Sequence, residues 1–200
     1  MGSILLLALV GALLELDTTY AFQLTFSRGI VAGPLLGLLI GDVMTGLQIG
    51  IFTELLFVDF SPLGGMLPPS AVVCCAVSLM GCSLGIPAYF SFFFGVLGAI
   101  FFSICEIYVR KQRASWVARQ EQKIFKKPSY VTWAIVKALG LSFAMTFLFI
   151  LIFGGAVSNV FVKVLPYLSE QLNIAGKFAY MAVPWIGLAT LVSTFRLKAR

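Results

Sequence analysis

Acidic side chains concentrate near the start of the sequence, within stretches that are otherwise apolar. Five of the eight acids lie in the first 59 residues, where the only basic residue is Arg28: Glu15, Asp17, Asp42, Glu54 and Asp59. An ionisable group inside a membrane segment costs at least about 2.5 kcal/mol, so such groups tend to face a polar cavity or a partner. Carboxylates also accept hydrogen bonds from the clustered hydroxyls of a sugar in an otherwise apolar pocket. The acid-rich region is therefore the predicted ligand site.

Helical spacing singles out Glu54 among these acids. Gly46, Gly50 and Glu54 follow one another at intervals of four residues, so they would share one helix face, with the glycines leaving space beside the carboxylate. A second stripe with the same spacing consists of Gly33, Gly37 and Gly41. Small residues at this spacing let helices approach closely, and packing alone would explain either stripe. A stripe that ends on a carboxylate favours a polar ligand site instead.

The chain that must position these residues is too apolar for a soluble protein. Of its 200 residues, 60% are hydrophobic and 11% are charged, with a mean hydropathy of +1.02. Soluble domains carry about a quarter charged residues. The composition predicts an all-α polytopic protein of the lipid bilayer, because only helices and closed barrels can satisfy the backbone there.

Residue types also limit the chemistry. The sequence contains no histidine, which is the commonest general base and zinc ligand and can carry a phosphoryl group. The four cysteines, Cys74, Cys75, Cys82 and Cys105, lie in apolar sequence without CxxC spacing, so we expect them to be core residues. Catalysis by this chain alone, a metal site and a cofactor are therefore not indicated.

Two apolar runs near the acids are too short to cross a bilayer. Residues 30–40 and 46–58 contain 11 and 13 residues, against about 20 for a full span. Gly41 and Asp42 separate the runs, and turn-rich sequence follows at 61–65 and 68–70. We predict broken or re-entrant helices within residues 14–72, which membranes tolerate where they are buried in protein or line a cavity.

Structural roles stay open for several polar residues of this region. Asp17 could mark a helix end at the bilayer surface. Gln23 could cap a helix, and Arg28 could be a snorkelling anchor. Asp42 and Asp59 could each cap a turn.

A basic segment sets the predicted topology. Residues 110–127 carry seven of the fourteen basic residues and a single acid, Glu121. By the positive-inside rule this segment is cytoplasmic, residues 133–156 cross outward, and residues 178–195 return to a cytoplasmic C-terminus. We divide the chain into a membrane region (1–109), a basic cytoplasmic loop (110–128) and a second membrane region (129–200). Nucleic acid is not an expected partner, because these bases lie between membrane-length apolar runs.

Several short motifs follow one another in a characteristic order. They are LELD at 14–17, AFQ at 21–23, SRGIVAGP at 27–34, LIGD at 39–42, TG at 45–46, Gly50, ELLF at 54–57, PLGG at 62–65 and PP at 68–69. This arrangement resembles the membrane subunit IIC of the mannose/fructose/sorbose class of the bacterial sugar phosphotransferase system. The resemblance departs from the family pattern at three positions: Gly29 stands where proline is usual, Asp59 where glycine is common, and Ser70 where the family has Pro-Pro-Asp.

The resemblance implies a sugar-translocating subunit of the bacterial inner membrane. It would pair with a second membrane subunit, IID, and dock cytoplasmic IIAB proteins, whose phosphohistidine phosphorylates the bound hexose-type sugar. We also expect the chain to form an oligomer. The expected sugar-binding residues are Asp17, Gln23, Glu54 and Ser70. Arg28, Asp42, Asp59, Gly46 and Gly50 are expected to be structural or gating residues.

Two other functions remain open from the residues alone. In a proton- or cation-coupled carrier, the buried acids would titrate during transport. In a non-transporting membrane assembly subunit, they would pair with basic residues of a partner helix.

Overall fold

A computed structural model of the chain describes residues 2–19, 24–58, 60, 67–126 and 128–198. These residues form helices, and no strand occurs among them. In chain order the helices are α1 Gly2–Thr19, α2 Gly29–Ile40, α3 Val43–Phe57, α4 Ala71–Ser83, α5 Ala88–Lys126, α6 Pro128–Phe149, α7 Gly155–Val164 and α8 Glu170–Lys198. The π-helix Ile150–Gly154 joins α6 to α7, and the 3-10 turn Leu165–Tyr167 follows α7. The predicted all-α class is confirmed.

The helices that follow α1 differ in length. Three stretches are long and apolar enough to cross a bilayer, and they lie in α5, in the continuous stretch from α6 to the 3-10 turn, and in α8. Helices α2, α3 and α4 are also apolar but contain only 12, 15 and 13 residues. A full crossing needs about 20 residues, so α2 and α3 are the broken elements predicted for residues 14–72, and α4 is a further short helix beyond them.

A tight turn separates α2 from α3. Gly41 ends α2 in the left-handed conformation with φ of +79°, which glycine adopts at no steric cost. Its N–H donates a hydrogen bond to carbonyl groups of the last helical turn. Asp42 then begins α3 as its N-cap. Gly41 therefore ends a helix and is not part of the helix-contact stripe to which the spacing assigned it.

The short helix α4 forms the centre of the core. Residues 72–81 are all buried, and they pack against α1, α2, α3, α5 and the π-helix. Phe92 and Phe102 of α5 are the largest side chains buried around it. The core prediction is confirmed for Cys74 and Cys75, whereas Cys82 is partly exposed and Cys105 is exposed on α5.

The basic segment is helical where the sequence predicted a loop. Residues 110–126 continue α5, which contains 39 residues. At 1.5 Å per residue such a helix is about 59 Å long, roughly twice the thickness of the hydrocarbon layer. The basic end of α5 therefore extends beyond the hydrocarbon. The side of the membrane on which it lies, and the division at residues 110 and 128, stay predictions.

Candidate functional site

Glycine backbones join α2 to α3. A Cβ placed on Gly33 would collide with the carbonyl oxygen of Gly46 and would lie 2.9 Å from the Gly50 Cα. A Cβ on Gly37 would lie 3.1 Å from the Gly46 Cα, and one on Gly29 would lie 2.8 Å from the Gly50 oxygen. We call these five residues the glycine seam. The two stripes found in the sequence thus pack against each other, with Gly29 as a member that the spacing analysis did not include.

The seam ends on Glu54. Its Oε1 accepts a hydrogen bond of 2.7 Å from the Gly29 N–H, and its Oε2 lies 3.5 Å from Nη1 of Arg28. The Gly29 N–H belongs to the first turn of α2, where no helical carbonyl can accept it, and a negative charge there is favourable. A proline at position 29, as the resembling family usually has, would carry no N–H for this bond. The Arg28 side chain is 68% exposed and Glu54 is 28% exposed, so the pair faces an open region.

Asp17 holds the other end of the same loop. Its carboxylate is buried, with Oδ1 accepting from the Leu24 N–H at 2.8 Å and Oδ2 from the Ser27 N–H at 3.3 Å. Thr25, between them, has a φ of +66°, which is uncommon for a residue with a side chain. Residues 24–28, hereafter the entry loop of α2, are therefore held by Asp17 on one side and lead directly into the turn held by Glu54.

Ser70 lies in different surroundings from Asp17 and Glu54. Its hydroxyl donates to Oε2 of Glu15 at 2.6 Å and accepts from the Val73 N–H at 3.2 Å, so it is the N-cap of α4. Glu15 and Asp17 are two residues apart on α1, and residues at that spacing point to nearly opposite sides of a helix. The structure thus brings Asp17, Arg28 and Glu54 to one loop and pairs Ser70 with Glu15 instead.

Glu15 belongs to a polar group inside the helix bundle that the sequence analysis did not assign as a site. Glu106 of α5 is 8% exposed and accepts a 2.7 Å bond from Nη2 of Arg110. Arg113, one turn further, donates from Nη1 to the Ser142 hydroxyl of α6 at 2.7 Å. A small cavity is bordered by Glu15, Glu106, Arg113 and Ser142. The spacing of Glu106 and Arg110 at i, i+4 was a detectable signal in the sequence.

Asp42 lies at the opposite end of the hairpin from Glu54. It is exposed, and its carboxylate accepts from the hydroxyl and the N–H of Thr45. These bonds, the hydroxyl one most strongly, hold the pKa of Asp42 below its ordinary value. The predicted residues Gln23 and Asp59 lie outside the described part of the chain. Within that part, no group of three or more cysteine, aspartate or glutamate side chains could hold a metal ion.

Comparison with known proteins identifies the family. Residues 1–199 match the family described as PTS system sorbose-specific IIC component. The chain belongs to this family. The resemblance drawn from the N-terminal motifs is confirmed, and it extends to nearly the whole chain. This IIC chain is therefore a multi-pass inner-membrane protein of the PTS sorbose-specific IIC family.

Individual relatives agree with the family. This IIC chain is 41% identical over 46 residues to the "Putative N-acetylgalactosamine permease IIC component 2" of Escherichia coli (strain K12). The match covers 23% of the chain and about a third (35%) of that relative's own length.

Solved structures share the fold. One described only as a membrane protein has a TM-score of 0.75 at 18% identity. A cryo-EM structure of the mannose transporter ManYZ in complex with a microcin has a TM-score of 0.63 at 20% identity. Both alignments cover 96% of this chain and 77% of the other. At such identities the likeness supports the fold alone.

Proposed function

We propose that this IIC chain binds a hexose-type sugar beside the entry loop of α2 and presents it to a cytoplasmic IIB subunit for phosphorylation during uptake. The observation that carries the proposal is the convergence of Asp17 and Glu54, from two different helices, on residues 24–29. Each carboxylate has about four acceptor positions, of which the loop uses only part. The remaining positions suit sugar hydroxyls, and the exposed Arg28 guanidinium supplies donors for sugar oxygens.

The glycine seam gives this site its proposed means of movement. Because α2 and α3 touch through backbone along the seam, the hairpin can move as one rigid unit that carries Arg28 and Glu54 with it. Transporters of several folds expose a site alternately by moving such broken-helix elements against a scaffold. We propose that the scaffold consists of the three long apolar stretches, which lie in α5, in the stretch from α6 to the 3-10 turn, and in α8.

Two further predicted site residues take different places in this proposal. Ser70 would act as a positioning residue, since its hydroxyl is already engaged by Glu15 and the start of α4. Gln23 directly precedes the entry loop in the sequence and stays a predicted sugar contact.

The family and its relatives support the substrate class and the partners. The names of the family and of the relatives refer to sorbose, N-acetylgalactosamine and mannose, which are hexoses or hexose derivatives. We propose a IID membrane subunit, cytoplasmic IIAB proteins and an oligomeric assembly as the partners of this chain. A sequence without histidine suits this division of labour, in which the phosphoryl group is carried on IIB and the membrane subunit itself is not an enzyme.

The direct test is uptake of labelled hexoses driven by phosphoenolpyruvate. Cells expressing the chain with candidate IID and IIAB partners are compared with cells that lack IIB. We expect sugar phosphate to accumulate only when IIB is present. Free sugar accumulating without IIB would instead identify a proton- or cation-coupled carrier, and no uptake in either strain would identify a non-transporting subunit.

Glu54→Gln tests the site itself. Glutamine keeps an oxygen that accepts the Gly29 N–H but removes the negative charge, so the hairpin should fold while the sugar loses a charged acceptor. Hydrogen bonds to charged groups contribute about 1.5–3 kcal/mol, so we expect uptake to fall at least about tenfold. Co-purification with IID should be unchanged.

Glu170→Gln is the matched control for this variant. Glu170 is exposed in the first turn of α8, far along the chain from the entry loop, and the same substitution there should leave uptake unchanged. If Glu54→Gln transports as well as Glu170→Gln, Glu54 does not bind the sugar.

A further inference from the structure

The basic end of α5 and the start of α6 leave a cavity between them. Its volume is about 500 Å³, within the range of small-molecule sites. Most of its lining is apolar, and several of these side chains are far from buried: Val117 is 47% exposed, Ile135 55% and Leu141 50%. The cavity is therefore a groove on the surface of the helix pair and not an enclosed part of the core.

A lysine ammonium sits between two tryptophans at this groove. Nζ of Lys137 lies 5.0 Å from the ring centroid of Trp116 on α5 and 4.9 Å from that of Trp133 on α6. The ring faces attract the cation through cation–π interactions, but they offer no oxygen or nitrogen acceptor for the hydrogen bonds of its three N–H groups. Within the described part of the chain, Lys137 forms no ion pair with a carboxylate. An anionic ligand would supply the missing acceptors.

The other charged residue lining the groove is also basic. Arg113 borders the cavity together with Lys137, and no acid lines it among the residues whose side chains the structure describes. Lys111 lies two residues before Arg113 and adds a positive charge to this end of α5, whereas the charge of Arg110 is paired with Glu106. A groove with an apolar floor and positively charged side chains complements a ligand that is anionic at one end and apolar at the other.

The position of the groove along α5 corresponds to the bilayer surface. The apolar part of α5 runs from Ala88 to about Val109, close to the 20 residues that cross the hydrocarbon. Trp116 follows within two turns, and tryptophan is enriched at the depth of the lipid headgroups. At this depth a bound lipid would have its headgroup beside Lys137 and its acyl chains beside the deeper apolar lining.

We infer that this groove is a binding site for an anionic phospholipid. Its phosphate would accept hydrogen bonds from Lys137 and Arg113, its headgroup would lie beside Val117 and Ile135, and an acyl chain would pass Leu141 toward the centre of the bilayer. Basic pockets between membrane helices hold anionic headgroups in this way. The inference concerns lipid recognition alone and does not depend on the sugar site.

Quenching of tryptophan fluorescence by brominated lipids tests the site. The chain contains three tryptophans, so Trp185→Phe leaves two tryptophan emitters, Trp116 in the lining of the groove and Trp133 against Lys137. The full-length variant is reconstituted with brominated phosphatidylglycerol or brominated phosphatidylcholine over the same range of mole fractions, with tryptophan emission selectively excited. Each basic residue near an anionic surface adds about a fivefold preference for anionic over neutral lipid. Phosphatidylglycerol should therefore reach the same quenching at a mole fraction at least about fivefold lower than phosphatidylcholine.

Two matched comparisons assign that preference to the groove. In the Trp185→Phe background, Lys137→Gln should remove most of the preference for phosphatidylglycerol. Lys177→Gln should leave that preference unchanged, although Lys177 also lies over an aromatic ring, that of Tyr89. In the double variant Trp116→Phe with Trp133→Phe, emission comes from Trp185, which is 73% exposed on α8 and should be quenched equally by both lipids.

Two results would overturn the inference. Equal quenching of Trp116 and Trp133 by the two lipids would mean that the groove contacts lipid without selecting its charge. Quenching by neither lipid would mean that protein, from a second copy or another subunit, covers the groove.

Discussion

Two helix pairs of this chain are built in opposite ways. Helices α2 and α3 meet through glycine backbone, with no room for a side chain between them. Helices α5 and α6 meet through long side chains at their shared end and leave a cavity of about 500 Å³. The first pair excludes ligands from its contact and places its polar groups at its two ends. The second pair leaves space for a ligand within the contact itself.

The difference follows from what drives association inside a bilayer. Lipid tails are as apolar as leucine, so helices there gain little from hiding apolar surface and rely on close van der Waals packing and polar bonds. The glycine seam maximises packing over two short helices. Because short helices leave many unpaired N–H groups for their length, the hairpin also needs acceptors at its ends, which Asp42 and Glu54 supply.

The largest expected effect comes from filling the glycine seam. In Gly33→Ala the new methyl group would collide with the Gly46 carbonyl oxygen, a backbone atom that moves only if the helices separate. Overpacking of this kind costs about 1–3 kcal/mol, and we expect the upper end here. Thermal unfolding of the purified protein in detergent should show a clearly lower midpoint, together with reduced uptake.

Gly140→Ala is the control from the second helix pair. A Cβ on Gly140 of α6 meets nothing within 4 Å, so alanine there should raise helix stability by up to about 1 kcal/mol. Equal effects of the two variants would contradict the contrast between the seam and the open pair.

A smaller effect is expected at the start of α4. Ser70→Ala removes the N-cap and leaves the buried carboxyl of Glu15 without its hydroxyl donor. Loss of a cap costs about 1 kcal/mol and an unsatisfied buried group about 1–3 kcal/mol, so we expect about 2 kcal/mol in unfolding experiments. Ser83→Ala, in which the exposed hydroxyl at the other end of α4 is lost, should change stability by less than about 0.5 kcal/mol. A comparable loss in both variants would argue against the Glu15 bond as the cause.

The smallest effect is expected at the exposed end of the hairpin. Asp42→Ala removes the acceptor for the Thr45 N–H at the start of α3, and the decrease in stability should be about half that of Ser70→Ala. Asp42→Asn keeps an oxygen at the N-cap and should unfold close to the unchanged protein. The thermal midpoints of the two variants distinguish capping from charge. Equal decreases would mean that the charge of Asp42, and not its capping oxygen, stabilises the helix.

Much of the fold could be predicted from local sequence. The short apolar runs and the Gly41–Asp42 pair indicated a broken hairpin, because each run is shorter than a bilayer and the pair favours a turn. The basic segment was predicted as a cytoplasmic loop between membrane spans, and residues 110–126 are helical in the structure. Its seven basic residues are compatible with an exposed helix as well as with a loop, and charge composition alone does not distinguish the two.

The candidate site was predictable only in part. The spacing of Gly46, Gly50 and Glu54 indicated one face of α3. It did not indicate that α2 packs against that face. Ser70, which stands where the family has Pro-Pro-Asp, was expected to bind the sugar together with Asp17, and in the structure its hydroxyl bonds to Glu15. A pair of residues 55 positions apart meets only through the packing of α1 on α4, for which no local pattern exists.

The sequence by itself determined the environment, the helical class and the family of this chain. These follow from composition, from periodicity and from motifs within a few residues of one another, all of which act locally along the chain. Only the tertiary structure decided which acids meet which backbone groups. In the structure, Asp17 and Glu54 accept hydrogen bonds from the same loop, and a groove lies beside Lys137 between α5 and α6. Such contacts depend on the close approach of helices distant in sequence, where an ångström of separation decides whether a hydrogen bond forms.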